Sequence, residues 1–504
     1  MSSRLHKALL LTLAAALLGG VFFIQGSLNR DRDRLGLTRV QPLESAPPVL
    51  AFTTVALGGF RGLISNLLWI RAGDLQEQDK FFEMAQLADW ITKLEPHYVQ
   101  VWLVQAWNMA YNISVKFTDF NDRWRWVKSG IELLRDQGLP ANQNEVLIYR
   151  ELAWLFQHKM GANLDDAHML YKQMWAREMA QVFGKFKKPD LDELINPQTD
   201  DQKARARLLR EKYKMDPAFM KEVDQRYGPL EWRLPEAHAV YWAALGLKIA
   251  ANNPSKVTNK DLITLRRVIY QSMQTSFQRG RLVVNPFVQA FEFGPNLDII
   301  PKVSAAYEQA AEEDAEYHDH ILLAHKNLLK DAVYFLYSYN RLSEAAFWYK
   351  YLATKYPDAD VLDFKPPGTS PARSISLEQY CLARIQDDAN GTPRDRMQGT
   401  IEGLLTRSYR SLAIDEDDHA AGYKLLAQKL YDNYMSRLSG QRTNAVGLRP
   451  IQDTDREILG RLLDPEHGAA PEIRAVLRTK LRLPAETAPA PAPATNAPAE
   501  KPTQ

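Results

Sequence analysis

Between residues 312 and 325 the chain gathers Glu312, Glu313, Asp314, Glu316, His318, Asp319, His320 and His325. On a helix Asp314 and His318 stand four apart, as do Glu316 and His320, and His318 and His325 fall seven apart on one face. Imidazole and carboxylate groups that converge in this way are what zinc or another divalent transition metal needs. No His-Glu-x-x-His pair is present, however, and acidic residues at a helix start are favoured by the helix dipole without any metal. The expectation is a solvated helix start and no cofactor, with His318, His320 and His325 as the residues that would ligate a metal if one were bound.

Nucleophilic chemistry has one sulfur to work with. Cys381, the single cysteine, sits in SLEQYCLARI among Leu377, Tyr380 and Leu382. A lone cysteine in an apolar helical window is usually a small core residue. One cysteine also excludes an intramolecular disulfide framework and a multi-cysteine zinc site. Gly-x-Ser-x-Gly, Ser-x-x-Lys and phosphate-cradling glycine loops are missing. No catalytic residue stands out, and a non-enzymatic role is expected.

Two sets of residues suit recognition instead. Residues 226–238, RYGPLEWRLPEAH, combine two prolines, a glycine, two aromatics and alternating charges. As a rigid recognition loop, this segment would use Tyr227, Trp232 and Arg233 as anchors, because Trp, Tyr and Arg dominate interface energetics. As a structural loop, Trp232 would pack beneath the helix that Pro235 begins. The second set is Trp102, Trp107, Tyr111, Trp124 and Trp126. Trp124 and Trp126 are two apart and cannot share a helix face. At least one of them faces the surface, a groove or a neighbouring unit, which makes Trp102, Trp124 and Trp126 candidate contacts in an aromatic groove for a peptide or glycan.

The elements that position these residues are helical. Beyond residue 47 there is almost no strand signal, and helical windows of 12 to 20 residues alternate with short Pro, Gly, Asn and Asp stretches. Ile148, Leu152, Leu155 and Phe156 mark one apolar face; Leu322, Leu329, Val333 and Leu336 mark another. Asp216-Pro217 reads as a cap followed by a first-turn proline. Residues 185–235 carry more charge, with Lys203, Arg205, Arg207, Arg210, Lys212 and Lys214 crowded together. Four further helices are expected near residues 394–412, 419–438, 453–463 and 471–481.

Several windows recur. Trp242, Leu245 and Gly246 have the spacing of a first helix in which small residues admit a close neighbour. Leu329, Ala332, Val333 and Leu336 are followed by Ala345, Tyr349, Leu352 and Pro357 in an uninterrupted 34-residue register. Tyr149, Leu152, Ala153 and Phe156 with Ala167 and Tyr171 fit after a two-residue insertion, and Leu68, Ala72, Leu75, Ala88 and Pro96 make a degenerate copy. These windows resemble the tetratricopeptide repeat. The strings GGFRGLISNLLWIRA and RYGPLEWRLPEAHAVYW are similar to those of a group of bacterial membrane-anchored repeat proteins. The resemblance implies an all-α, irregular helical-hairpin solenoid that packs through Trp242, Leu245, Gly246, Ala332, Ala345, Tyr349 and Pro357.

The amino terminus supplies the anchor. Arg4, His6 and Lys7 precede an uncharged run at residues 8–24, ALLLTLAAALLGGVFFI, and a charged cluster comes after it at residues 30–34. With its flanks the run is about 20 residues, or about 30 Å as a helix, enough to cross a bilayer. Ile24-Gln25-Gly26 is a poor cleavage site, so an uncleaved signal anchor is expected. Arg4 and Lys7 are outnumbered by Arg30, Arg32, Arg34 and Arg39, but short amino-terminal tails usually stay cytoplasmic, and the body is expected outside the cytoplasm. Residues 49–70 are apolar but interrupted by Arg61 and Asn66, and read as an amphipathic or buried helix that packs on the body rather than a second span, with a position on the membrane surface as the alternative.

The expected organisation is an anchor at 1–30, a linker at 31–48, a tetratricopeptide-like array at 49–358 with an insertion at about 185–235, a linker at 359–376, a helical region at 377–483 and an Ala-Pro-rich disordered tail at 484–504. The 504 residues are 45% hydrophobic and 25% charged with a net charge of +2, which leaves no electrostatic case for nucleic-acid binding. The expected function is a non-catalytic scaffold or adaptor at the cytoplasmic membrane. It would hold protein partners of an envelope, secretion or transport assembly, with the lipid bilayer as the anchor's partner. The alternative is an envelope glycan binder or an enzyme that uses an aromatic groove near Trp232.

Overall fold

The computed structural model describes residues 61–184, 189–254, 257–284, 291–339, 341–357, 394–415, 417–436, 448–465 and 467–484. It also describes residues 376, 377, 380, 381 and 384, and residues 12–14, 16, 17, 19–21, 24–28, 30 and 31. The linker at 31–48, nearly all of that at 359–376, and the tail from residue 485 onward therefore lie outside the described residues.

Two compact units divide the chain, Met1–Pro96 and His97–Gln504. In the first, the described amino-terminal residues are helical, and Leu13, Leu17, Val21, Ile24 and Leu28 are exposed. Part of the expected anchor lies outside the described residues. Among the described ones, no helix is long and apolar enough to cross a membrane. Helix α1 (Arg61–Glu77) packs on α2 (Phe81–Leu94) through Ala72 and Leu75 on one side and Met84, Ala88 and Ile91 on the other. The segment from residue 61 is thus half of a helical hairpin.

Among the described residues, the second unit is all-α apart from one short hairpin. Helix α3 (Val99–Trp107) continues into a π-helical turn at Asn108–Ile113. Helix α4 (Phe120–Glu132) continues into a second at Leu133–Gly138, and α5 (Val146–Trp154) into a third at Leu155–Gly161. Such turns insert a residue into a helix and re-aim the side chains beyond it, often at functional sites. Next come α6 (His168–Phe183), the short α7 (Asp192–Ile195), α8 (Asp200–Glu211) and α9 (Pro217–Tyr227). The chain then returns as α10 (Pro235–Asn252) and α11 (Asn259–Arg279).

Local chemistry starts these helices where it should. Thr199 and Gln202 form a capping box on α8, and Thr258 and Asp261 form one on α11. The Asp216 carboxylate accepts from the amides of Ala218 and Phe219, with Pro217 in the first turn.

Strands β1 (Arg281–Val284) and β2 (Phe291–Gly294) pair antiparallel, Arg281 opposite Gly294 and Leu282 opposite Phe293. This hairpin was not expected. Its four-residue strands are too short to leave a clear alternation. Helices α12 (Ile300–Glu313), α13 (His318–Ser338) and α14 (Leu342–Lys355) come next, each packed on the one before. Ala332 and Ala345 are fully buried. Tyr349 stacks at 5.2 Å on Tyr380, and Pro357 is exposed just past the end of α14. A second core around Met397, Ile401, Leu405, Leu430, Ile458 and Leu477 joins α15 (Arg394–Ala413), α16 (Asp417–Ser436), α17 (Ile451–Leu463) and α18 (Pro471–Lys480). These four helices start and stop within a few residues of the windows read from the sequence.

The pairing of α10 departs from a plain succession of hairpins. It packs along α5 and the π turn at that helix's end, as well as on α11. Helices α6 to α9 lie between α5 and α10 in the chain. Trp242 is buried, and Gly246 sits where a Cβ would lie 3.1 Å from both Tyr149 Cβ and Leu265 Cδ2. Gly246→Leu should lower stability by about 1–3 kcal/mol through overpacking. Thermal unfolding monitored by circular dichroism measures this, and an unchanged melting temperature would mean that α10 is not packed so closely.

Candidate functional site

The loop at residues 226–238 is an internal strut. Trp232 is 1% exposed and Arg233 4%. The Arg233 guanidinium grips Glu231 through two hydrogen bonds of 2.7 and 2.8 Å and donates to the Gly184 carbonyl at 3.2 Å. His238 Nε2–H donates to the Trp232 carbonyl at 2.9 Å. Trp102 and Trp124 are also buried, Trp102 beneath Gly138 and Trp124 beside Tyr171. Trp126, on the other face of α4, is half-buried and stacks on Phe117. Of the expected anchors, Trp102, Trp124, Trp232 and Arg233 therefore present little surface to a partner.

Tyr227 is different. It lines a pocket of about 210 Å³ between four helices. Arg226 and Tyr227 come from the end of α9, Leu247 from α10, Arg266, Ile269 and Tyr270 from α11, and Ala306, Gln309, Ala310 and Glu313 from α12. The space exists because Ala306 and Ala310, one turn apart, put methyl groups where larger side chains would fill it. Arg266 is fixed by Glu313 at 2.9 Å and Asp314 at 2.8 Å, and Gln309 donates to Glu313 at 2.6 Å. The Arg226 guanidinium lies 5.1 Å over the Tyr227 ring, and no carboxylate pairs with it among the described residues. Burial raises the Tyr227 and Tyr270 phenols above their ordinary value, so both stay protonated at neutral pH. The pocket thus offers apolar walls, two phenols and one unpaired cation at its rim.

A second feature rises from the π turns. Trp107 and Trp154 each immediately precede a π turn, and each carries a ring residue four positions later, Tyr111 and His158. The four rings form a ladder, with centroids 5.3 Å apart from Trp107 to Tyr111, 5.8 Å from Tyr111 to His158 and 4.5 Å from His158 to Trp154. The Trp154 indole donates to the Tyr111 hydroxyl, whose own O–H reaches His158 Nδ1 at 2.9 Å. Burial and neighbouring Lys159 lower the His158 pKa, which keeps the imidazole neutral and able to accept. Burial raises the carboxyl of Glu151, one turn before Trp154. Trp107 is 42% exposed at the ladder's end. The common Trp-x-x-x-ring spacing was the signal for this ladder in the sequence.

The histidine cluster does not converge. The Asp314 carboxylate is taken by Arg266, and His318 Nδ1–H donates to the Ala311 carbonyl at 2.9 Å. His320 is exposed at an open cleft with Glu312, Glu316 and Asp319. His325 turns into the core, 2.8 Å from Ser304 Oγ and 2.7 Å from the Tyr356 hydroxyl. Among the described residues, no three His, Cys, Asp or Glu side chains are grouped to hold a metal ion. Cys381 is buried, and burial pushes its thiol up to about 12. No protein-family model, characterised protein or solved structure matches the chain.

The buried imidazoles make stability depend on pH. Burial lowers His325 to about 4 and His238 to about 3. An unfolded histidine titrates near 6.5. The folded values lie below it, so the unfolded chain takes up protons first as the pH falls. This contribution is complete above about pH 6.5 and is lost as the pH drops toward about 4, by about 1.4 kcal/mol per histidine per pH unit. Melting temperatures at about pH 7 and about pH 5.5 test it. His325→Gln should lose less on acidification than the unsubstituted chain, because the carboxylates common to both cancel in the comparison.

Proposed function

We propose that the chain is a non-catalytic scaffold or adaptor of the tetratricopeptide-like kind, held at the cytoplasmic membrane by its amino-terminal segment with its body outside the cytoplasm. It holds segments of a partner protein in an envelope, secretion or transport assembly. The observation that carries the reading is the pocket behind Tyr227. At about 210 Å³ it is smaller than the ~300–1,000 Å³ typical of small-molecule sites and suits one side chain of a docked segment. Successive helical pairs, with small residues at the close approaches, support the repeat reading. The irregular excursion from α6 to α9 and the hairpin after α11 are departures from the repeat pattern. The membrane location rests on the apolar run at residues 8–24 and its flanking charges.

The test is chemical capture in membranes. A photoreactive residue at Leu247 should crosslink to a discrete partner, and Ala310→Trp, which fills the pocket, should abolish that band while the protein still folds. Crosslinking that ignores the filled pocket would remove the pocket from partner binding. Loss of residues 1–30 should release a helical protein from the membrane fraction.

A second reading, an envelope glycan binder, is favoured by the partly exposed ladder from Trp107 to Trp154 rather than by Trp232. Flat indole faces accept the apolar face of a sugar ring, and the adjoining Glu151 and His158 offer hydrogen-bonding groups. Envelope polysaccharide should then shift tryptophan fluorescence, and Trp107→Ala should remove the shift. A shift that survives Trp107→Ala would place the sugar elsewhere.

A further inference from the structure

Helix α1 has two faces with different fates. Ser65, Ala72 and Leu75 are buried, and this face packs on α2. The opposite side carries Leu63, Leu67 and Ile70, spaced i, i+4 and i+7 and therefore in one line. They are 55%, 58% and 64% exposed. Further along the same line stand Asp74 and Glu77, both exposed. The apolar stripe thus occupies only the amino-terminal half of the helix, the half nearer in sequence to the apolar run at residues 8–24. Arg61 and Arg71 bracket the stripe in sequence, and the Arg71 side chain is exposed.

We propose that the amino-terminal half of α1 lies in the interfacial layer of the lipid bilayer, with Leu63, Leu67 and Ile70 among the upper acyl chains and Asp74 in water. This rests on reading the amino-terminal segment as a membrane anchor. Three observations point to lipid as the occupant. The stripe is dispensable for the α1–α2 contact, which uses the other face. It stops at an acidic residue, as a helix entering an interface obliquely must. And only twenty-nine residues lie between Asp31 and Arg61 in the sequence. That short covalent connection ties α1 to an anchored segment, so the helix meets the surface at high effective concentration. An amphipathic helix that buries only a short stripe binds marginally alone, and a second attachment makes such binding stable.

Spin-label accessibility on the full chain decides the matter. Leu67→Cys and Glu77→Cys are labelled separately; native Cys381 is buried and stays unlabelled. The protein is reconstituted in phosphatidylethanolamine–phosphatidylglycerol vesicles and floated on a gradient. The expected result is flotation, with the label at 67 relaxed more by oxygen than by a water-soluble nickel chelate and the label at 77 showing the reverse. Flotation with the label at 67 open to nickel would overturn the interfacial helix and leave the anchor standing. Flotation with neither reagent reaching residue 67 would mean that protein covers the stripe, and would also overturn it. Failure to float would remove the anchor itself.

Discussion

Most of the second unit depends on α10 being buried on every side. From Pro235 to Ala244 each residue is buried, ten in succession. A helix that is hydrophobic all round requires neighbours all round. Here α5 with its π turn, α9 and α11 supply them. Four alanines in the helix's first ten residues, with Gly246 beyond them, let the neighbours approach, and Tyr241 and Trp242 fill the wider gaps between them. Packing of this density tolerates neither added nor lost volume.

Enclosure on all sides also constrains the polar groups that α10 carries. The His238 imidazole is neutral and donates to the Trp232 carbonyl, so it braces the loop that leads into its own helix. The Tyr241 hydroxyl accepts from the Asp216 amide at 2.9 Å and thereby positions the cap of α9. Glu236 faces Arg279 at 3.5 Å, and burial raises its carboxyl. Lys172 is close by, pushed down to about 8 by burial and by Arg279. A buried ionic cluster of this kind contributes little net stability, because desolvation offsets the attraction, but it disfavours other registers of α10 against α6 and α11.

The features legible in the sequence were local. The helical period, the cap at Asp216 and the four carboxy-terminal helices all depend on residues within a turn or two of one another. The features that were not legible depend on partners far away in sequence. The 226–238 loop has the composition of an interface, yet Trp232 and Arg233 face inward, because Trp, Tyr and Arg anchor tight interiors as readily as interfaces. Its distant partner, the Gly184 carbonyl, cannot be read from the loop itself. His325 looked like a member of a ligand cluster until Ser304 and Tyr356 drew it into the core. The pocket combines Arg226, Tyr270 and Gln309 from three helices, so no window of the sequence contains it. The ladder was half visible: the spacings at Trp107 and Trp154 were there to read, but not the packing that sets Tyr111 against His158.

Ten of the eleven tryptophans lie in the first 242 residues, and they divide physically. Trp124, Trp175, Trp232 and Trp242 are at most 4% exposed and serve the enclosure of α10 and the helices around it. Trp107 and Trp154 sit where a π turn has shifted the helical phase by one residue. The i, i+4 spacing of Trp107 and Tyr111, and of Trp154 and His158, brings each pair to one face of a helix, and the π turns change the register of the residues beyond them. The two helices set these ring pairs side by side, and the product is one continuous ring ladder with an exposed indole at its end. The core does not need that arrangement, since α4 has a π turn with no exposed ladder attached to it. The ladder and the Tyr227 pocket are therefore the places where this structure departs from what packing alone requires, and contact with a ligand is sought there rather than in the loop around Trp232.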